Sequence, residues 1–423
     1  MIPKKPLPAW LNAIGMAAKQ LCSLVYVSGL EPGRAKALYI DPVLAPFNLD
    51  LMVACDPDRK RVTVSIYGKW SATAQLREGL GATLVTQLGP EDALPEIELP
   101  HVTDKPLPIM TKEDLKLIFK LGAIEDALDH AFNPEYNTLA VVVLHRGRLA
   151  AERYSQGMDD CTVLPGWSMA KSVTATLAGL LVKKGRLDVH QPGIVSEWLP
   201  GEDITLDQLL RMTSGLDVLE DQSGADPNSR MLFVEPDAVA FAARRGLKHP
   251  PGTHWEYMSS STILVCRAIF KAVGNTLETS QRFYRDALFK PLGAPSFILE
   301  TDAAGTFIGS SFALANAKDW AKFGQLYLDE GVCEGEQLLP EGWVDYVTRH
   351  TPLSGENSYG AGFWTLAQSD IKGLPMDTYY ANGFQGQYVI VVPSHDLVIV
   401  RLGASLGSTG VWDFLRELVV AMN

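Results

Sequence analysis

The sequence predicts an α/β fold of the α+β type, with an antiparallel sheet flanked by helices and a mainly α-helical lobe inserted into it. Strand patterns occur at 138–154 and again at 388–400. Between them, from about Gly185 to Gly305, apolar residues follow a mostly helical period with Pro and Gly breaks. We therefore expect the two strand regions to share one sheet, with the helical lobe at about 186–305 and a ligand site between the lobes.

The first 108 residues are expected to form a separate extension. They contain one strand pattern at 61–67, a second at 82–85, and a Pro-rich connector that ends near Pro108. Nothing in this stretch is catalytic by residue type. We interpret residues 1–108 as an N-terminal extension that packs on a main domain at 109–423.

Caps and turns predict the remaining elements in order. A Thr-Lys-Glu-Asp sequence predicts a helix start, a glycine predicts a helix end, and short polar turns predict hairpins. These elements are a helix from Thr111, a hairpin of 138–144 with 149–154, a helix from Ser168 to Gly185, a hairpin of 388–392 with 397–400 around Pro393 to Asp396, and a helix at 412–420.

Composition is typical of a water-soluble enzyme. The chain has 423 residues, 47% of them hydrophobic and 20% charged, with a net charge of −12. This charge disfavours nucleic acid and anionic membrane surfaces as partners. No run of about 20 apolar residues predicts a membrane span. Pro8, Asn12 and Lys19 interrupt a signal-peptide core, which predicts a cytoplasmic protein, or a periplasmic one if an export signal has been trimmed. The sequence leaves the oligomeric state open.

Cysteines and histidines give no sign of a metal or disulfide framework. The five cysteines are widely spaced and odd in number, which favours free thiols. The eight histidines are scattered. We interpret His145, in a hairpin, and His254, in a turn, as structural residues. No metal and no organic cofactor is expected.

The candidate chemistry centres on Ser168 and Lys171. Residues three apart on a helix lie on one face, so the amine would reach the hydroxyl. A serine becomes nucleophilic when a base takes its proton, and a neutral lysine can be that base. The helix N-terminus offers free N–H groups to an oxyanion. The alternative is that Ser168 is an ordinary helix N-cap. A second Ser-x-x-Lys, Ser369 to Lys372, is interpreted as a surface loop.

Two further segments fit such a site. Pro251-Gly252 leads into Tyr257 and Ser259 just ahead of an apolar helix, and a tyrosine beside a lysine can relay protons. Asn382 and Gly383 open a strand, and a glycine lets its backbone edge approach a substrate closely.

In this order the three segments resemble the serine β-lactamase and penicillin-binding-protein superfamily, whose hallmarks are Ser-x-x-Lys, a Tyr or Ser motif and Lys-Thr-Gly. The resemblance runs from about Thr138 to the C-terminus and is closest to the class C-like branch. Within that branch it favours the family VIII carboxylesterases and the 6-aminohexanoate-dimer (nylon oligomer) hydrolases. It implies a β-lactamase-like fold and a small-molecule ester or amide substrate.

The resemblance also implies residue roles. Ser168 would be the acylated nucleophile, Lys171 its base, and Tyr257 the group that protonates the leaving group and activates water. Ser259 stands where many members have Asn, and would contact substrate. The N–H groups of Ser168 and Phe384 would form the oxyanion hole.

The third motif departs from the β-lactamase pattern. Where those enzymes carry Lys-Thr-Gly, this chain has Ala381-Asn382-Gly383. The missing lysine normally recognises a carboxylate. We therefore expect an esterase or amidase, with Asn382 and Gly383 at the substrate. The alternative is a weak β-lactamase or D-aminopeptidase-like enzyme, or a slowly acylating penicillin-binding-type protein.

Several alternatives stay open in the sequence. Gly166 to Ala170 nearly matches the Gly-x-Ser-x-Gly elbow of α/β-hydrolases, but a polar, short segment replaces the required strand. Trp364 would line either the substrate pocket or the core. Arg401 would serve as a salt-bridge residue or as a carboxylate anchor. The acidic stretch 216–222 would be either a solvated loop or a region that prefers a cationic amine.

Overall fold

The chain folds into two units that each draw on separate stretches of the sequence. The computed structural model describes residues 5–85, 96–120, 122–195, 203–221, 223–366, 371 and 373–422. Unit 1 comprises Met1–Leu99, Leu187–Phe283 and Ile298–Ala313. Unit 2 comprises Pro100–Arg186, Tyr284–Phe297 and Leu314–Asn423.

Helices and strands follow one another along the described residues. In chain order the helices are α1 (Pro8–Tyr26), α2 (Pro32–Ala35), α3 (Asp41–Leu44), α4 (Lys112–Ile118), α5 (Ala123–Ala131), α6 (Met169–Lys183), α7 (Leu206–Leu210), α8 (Pro227–Phe233), α9 (Ala238–Ala243), α10 (Ser259–Ala272), α11 (Leu277–Tyr284), α12 (Lys290–Leu292), α13 (Ala317–Leu328), α14 (Trp343–Thr348) and α15 (Val411–Ala421). The strands are β1 (Leu51–Asp56), β2 (Arg61–Ile66), β3 (Trp70–Arg77), β4 (Gly81–Leu84), β5 (Thr138–His145), β6 (Arg148–Tyr154), β7 (Leu164–Pro165), β8 (Ile298–Leu299), β9 (Ala313–Ala315), β10 (Val332–Cys333), β11 (Glu336–Gln337), β12 (Trp364–Thr365), β13 (Tyr379–Gly383), β14 (Gln387–Val392) and β15 (Leu397–Gly403).

Unit 1 contains a four-stranded antiparallel meander, β1-β2-β3-β4, with α1 packed on it. In β2 the buried residues Val62, Val64 and Ile66 alternate with partly exposed ones, as in a strand covered on one face. The predicted strands at 61–67 and 82–85 correspond to β2 and β4. Helix α1 and strands β1 and β3 were not predicted. Residues 12–24 of α1 are buried, so this polar-interrupted segment is part of the core of unit 1.

A buried ion pair explains the polar interruption of α1. Lys19 pairs with Glu300, and the two side chains are 3% and 1% exposed. Glu300 also accepts hydrogen bonds from Ser23 Oγ at 2.6 Å and from the Ala82 N–H at 2.7 Å. Lys19 Nζ donates to the Ala82 carbonyl at 2.8 Å and lies 4.0 Å from the Phe312 ring centroid. The pair therefore has the extra hydrogen bonds that a buried charge requires.

Asp302 is a second buried carboxyl in unit 1. It accepts hydrogen bonds from the N–H groups of Ala238 at 3.0 Å and Thr306 at 2.9 Å. Burial raises the pKa of Asp302 from 3.8 to about 7, although these donors act in the opposite direction. Since the folded state holds this proton more tightly, the contribution to stability is complete below about pH 3.8 and is lost as pH rises through about 7.

The insertion in unit 1 is helical, as the apolar period predicts. Helix α10 packs against α7 and α9, and α8 packs against α1. At the α1–α8 contact, a Cβ on Gly15 would lie 1.9 Å from the Phe233 carbonyl oxygen, so only glycine fits. The residues of this insertion and the first 99 residues therefore share one packed unit.

Unit 2 is built on a six-stranded antiparallel sheet in the order β12-β13-β14-β15-β5-β6. The two predicted hairpins are β5–β6 and β14–β15, and β15 pairs with β5, so the two hairpins lie side by side in one sheet. The predicted helices also form. Helix α4 has a Thr111–Asp114 capping box, and α6 ends just before Gly185, whose φ is +63°. Among the described residues no helix is long and apolar enough to cross a membrane.

Both faces of this sheet are covered, which explains its continuous apolar strands. On one face, Val141, Ile390 and Ile399 join a core cluster with α5 and α15. On the other, α13 crosses the sheet closely at Gly324, where a Cβ would lie 2.5 Å from Val398 and 2.8 Å from Val389. The antiparallel sheet with flanking helices agrees with the fold class that the sequence predicts.

Candidate active site

Ser168 and Lys171 meet at the start of α6. Lys171 Nζ lies 3.2 Å from Ser168 Oγ, and Lys171 is 2% exposed. Ser168 is partly exposed, whereas the residues on either side of it, 164–167 and 169–173, are buried. Its side chain makes no capping hydrogen bond to α6. The geometry therefore favours a serine held by a lysine over the alternative of an ordinary N-cap.

The backbone just before the serine is strained. Trp167 has a φ of +48°, in the left-handed region that non-glycine residues rarely adopt. The Trp167 Nε1–H donates to Gln385 Oε1 at 3.2 Å. Its ring meets the Phe384 ring edge-on, with centroids 5.3 Å apart and planes at 90°. These contacts hold the turn that delivers Ser168 against the turn that follows β13.

The end of β13 approaches the same backbone closely. A Cβ on Gly383 would lie 2.1 Å from the Gly166 carbonyl oxygen, so only glycine fits at this position. Gly383 is the predicted close-approach glycine, and its neighbour here is the protein's own backbone. Phe384, whose N–H is the predicted oxyanion donor, is the next residue in the chain. The oxyanion hole of Ser168 and Phe384 N–H groups remains a prediction.

Gln387 holds the turn that carries Phe384. Its Nε2–H donates to the carbonyl oxygens of Phe384 and Gln385, each at 3.1 Å, and of Gly403 at 2.7 Å. Its Oε1 accepts from the Gly403 N–H at 3.0 Å. Sequence reasoning missed this residue. The only available signal is a glutamine within an apolar strand pattern.

Arg401 holds the other side of the same turn. It is 1% exposed and donates to the Gly386 carbonyl at 2.6 Å and the Tyr136 carbonyl at 2.5 Å. It also donates to Thr138 Oγ1 at 3.0 Å and Ser405 Oγ at 2.7 Å. These contacts give Arg401 a backbone-fixing role, which was not among the two alternatives drawn from the sequence.

The predicted substrate residues Asn382 and Trp364 lie in the same sheet. Asn382 Nδ2 donates to the Gln387 carbonyl at 3.2 Å, within the β13–β14 hairpin. Trp364, in β12, is partly buried and packs edge-on against Tyr359 with centroids 4.9 Å apart. Their contact with substrate remains a prediction.

Tyr257 and Ser259 belong to unit 1. Tyr257 is partly exposed and precedes Met258, the N-cap of α10, while Ser259 is the buried first residue of that helix. Glu220 accepts from the Ser259 N–H at 2.6 Å. This acidic side chain therefore binds the N-terminus of α10, where a carboxylate is stabilising. The other carboxylates of the 216–222 stretch are Asp217, which is exposed, and Asp221, which accepts from the Ser223 N–H.

Some predictions concern residues outside the site or outside the described chain. The second Ser-x-x-Lys has Ser369 and Lys372 outside the described residues. His145 lies in β5 with its ring edge-on to Phe119 at 6.3 Å, and burial lowers its pKa. This agrees with a structural role. The segment before Ser168 contains only the two-residue strand β7, which does not fit a nucleophile elbow.

The chain is similar to known proteins over much of its length. A model of the Beta-lactamase family matches residues 126–420. The 6-aminohexanoate-dimer hydrolase of Paenarthrobacter ureafaciens is 27% identical over 306 residues, which are 63% of this chain and 72% of that protein. The crystal structure of a family VIII carboxylesterase has a TM-score of 0.57 at 15% identity, covering 77% of this chain and 100% of that one. A penicillin-binding protein homologue from Caulobacter crescentus has a TM-score of 0.57 at 17% identity, with 77% and 100% covered. The two structures share the fold of this chain.

Proposed function

Because the chain belongs to the β-lactamase family, we propose that it is a serine hydrolase that cleaves ester or amide bonds of small molecules through an acyl-enzyme on Ser168. The observation that carries the proposal is the 3.2 Å contact between Ser168 Oγ and the buried Lys171 Nζ. A nucleophile within hydrogen-bond reach of a base is the geometric signature of covalent catalysis.

In acylation the neutral Lys171 amine accepts the proton of Ser168 while Oγ attacks the substrate carbonyl carbon. The carbonyl oxygen becomes an oxyanion, and the N–H groups of Ser168 and Phe384 stabilise it. The strain at Trp167 and the contacts at Gly383 support this role, since they fix both backbone segments. The carbon–oxygen or carbon–nitrogen bond then breaks. The leaving group takes a proton from Tyr257, which Lys171 replenishes.

Deacylation reverses these roles. Tyr257 first passes its phenol proton to the neutral Lys171 amine. Water attacks the acyl carbon and gives its proton to the Tyr257 phenolate, and the bond to Ser168 Oγ breaks as the serine regains the proton now held by Lys171. The acid product leaves and the starting protonation states return. Tyr257 receives this role from its place in the Tyr-x-Ser motif directly before α10.

The third motif supports a substrate without an obligatory carboxylate. Position 381 is an alanine with 0% exposure on β13, so it supplies no cation where family members carry lysine. The relative from Paenarthrobacter ureafaciens is named 6-aminohexanoate-dimer hydrolase, which supports testing that dimer as a substrate beside simple esters.

The test compares hydrolysis of p-nitrophenyl butyrate by the wild type, Ser168→Ala and the matched control Ser71→Ala, whose serine is exposed on β3. We expect Ser168→Ala to lose roughly 10³-fold or more of kcat/KM and Ser71→Ala to retain the wild-type value. Lys171→Ala should lose acylation, because the base is gone. Tyr257→Phe should slow both acylation and release of the acyl group.

Intact mass after incubation with the ester or with penicillin separates the two candidate activities. A transient acyl adduct on wild type that is absent from Ser168→Ala supports the hydrolase. Equal turnover by wild type and Ser168→Ala would refute the proposed nucleophile. A stable penicillin adduct without ester turnover would favour the slowly acylating alternative.

A further inference from the structure

A Pro-Pro-Gly turn in unit 1 brings two histidines together. The Thr253 N–H and Oγ1–H donate to the Pro250 carbonyl at 3.2 and 2.7 Å, which closes the turn. Gly252 has a φ of +76°, as the third residue of a type II turn requires, and Pro251 stands before it. The residues that flank this turn, His249 and His254, therefore lie next to each other.

A carboxylate completes the cluster. The rings of His249 and His254 have centroids 4.1 Å apart with planes at 33°. One ligand atom from each of His249, His254 and Glu256 lies within 4.8 Å of the other two. His254 is exposed and the other two are partly exposed. The sequence did not predict this cluster, because the turn geometry is needed to bring the two imidazoles together.

Backbone hydrogen bonds hold the cluster in place. The His249 N–H donates to the Gly215 carbonyl at 3.2 Å, and the Glu256 N–H donates to the Met212 carbonyl at 3.0 Å. Between them, the Gly252 N–H donates to the Thr213 carbonyl at 2.8 Å. Both ends of the loop are thus fixed on the segment 212–215. A ligand that binds these side chains meets a backbone that is already ordered.

We propose that His249, His254 and Glu256 form a binding site for a divalent transition metal ion, of which Zn²⁺ is the representative. Two imidazoles and a carboxylate are ligands that zinc prefers, at about 2.0–2.2 Å, and its tetrahedral geometry leaves one position for water. The exposure of His254 gives solvent access to that position. Because the donors are nitrogen and a single carboxylate, the site favours Zn²⁺ over Mg²⁺ or Ca²⁺.

Lys248 provides an internal competitor for the same carboxylate. Its Nζ lies 3.4 Å from Glu256 Oε2, with the lysine side chain 48% exposed. An exposed ion pair of this kind contributes little to stability, so the lysine can move away. Removing this amine should therefore strengthen metal binding, whereas removing a ligand should weaken it.

The test is calorimetric titration of the folded, full-length protein with Zn²⁺. Cys55 and Cys161 are exposed thiols that would also bind zinc, so every protein carries Cys55→Ser and Cys161→Ser. We expect about one strong equivalent in this parent. His254→Ala and Glu256→Gln should each weaken binding about tenfold or more, as changes around a metal site commonly do.

Two further variants make the outcome decisive. Lys248→Met should bind Zn²⁺ more tightly than the parent, and His101→Ala, which removes an exposed histidine outside the cluster, should bind as the parent does. Circular dichroism verifies that each variant is folded. The proposal is overturned if the parent binds no zinc, if His254→Ala and His101→Ala bind equally, or if Lys248→Met binds more weakly than the parent.

Discussion

Gly383→Ala tests whether the contact between β13 and the backbone before Ser168 positions the catalytic groups. The new Cβ would lie 2.1 Å from the Gly166 carbonyl oxygen and 3.1 Å from the Gln387 Cβ. Reaching even a tight contact of 3.0–3.4 Å from that oxygen needs a separation of about 1 Å, and Gln387 prevents an easy tilt away. A displacement of this size in a catalytic group lowers rates by about 100-fold.

The assay measures kcat for p-nitrophenyl butyrate and the rate at which a fluorophosphonate probe labels Ser168. The matched control is Gly407→Ala, whose Cβ meets nothing within 4 Å and whose φ is not in the left-handed region. We expect Gly383→Ala to lose about 100-fold in both rates and Gly407→Ala to stay at the wild-type level. A folded Gly383→Ala within twofold of wild type in both rates would refute the reasoning.

Three other predictions concern stability, each measured by urea unfolding. Because burial raises the pKa of Asp302 from 3.8 to about 7, this group should lower the free energy of unfolding of the wild type by roughly 4 kcal/mol between pH 4 and pH 8. Asp302→Asn should remove that dependence on pH. Equal pH slopes in the wild type and the variant would contradict this prediction. Arg401→Met should lower the free energy of unfolding by about 3 kcal/mol, because it leaves buried hydrogen-bond acceptors unpaired. The control Arg59→Met, at a 72% exposed side chain, should lower it by under about 0.5 kcal/mol. Similar losses in the two variants would contradict the role of Arg401. Glu300→Gln should cost about 3–5 kcal/mol because Lys19 stays buried without its counterion, and Lys19→Met/Glu300→Gln should lose less than the sum of the singles. Additive losses would show that the pair is not coupled.

Local patterns predicted much of unit 2. Alternation and continuous apolar runs located β5, β6, β14 and β15, because strands with covered faces have a characteristic composition. The predicted resemblance is confirmed by the family match over residues 126–420. The pairing of Ser168 with Lys171 was predictable since both lie on one turn of one helix.

Contacts between distant segments could not be predicted in the same way. The approach of Gly383 to Gly166 joins residues more than 200 positions apart, and no local period encodes it. Lys19 looked like an interruption of an apolar segment, because its partner Glu300 lies far along the chain. The role of Arg401 could not be decided from the sequence for the same reason. Among its acceptors are backbone carbonyls of distant residues, and these have no signature in the sequence.

The burial of α1 has a consequence for how the protein should be expressed. The family match begins at residue 126, and an expression clone cut at that boundary would discard α1 together with β1 to β4. Glu300 would keep its place in the chain but lose Lys19, Ser23 and the Ala82 N–H. Helix α8 would lose the surface of α1 around Gly15 that packs against Phe233. We therefore expect such a truncated clone to accumulate in inclusion bodies, and clones for crystallisation or directed evolution should begin before Pro8.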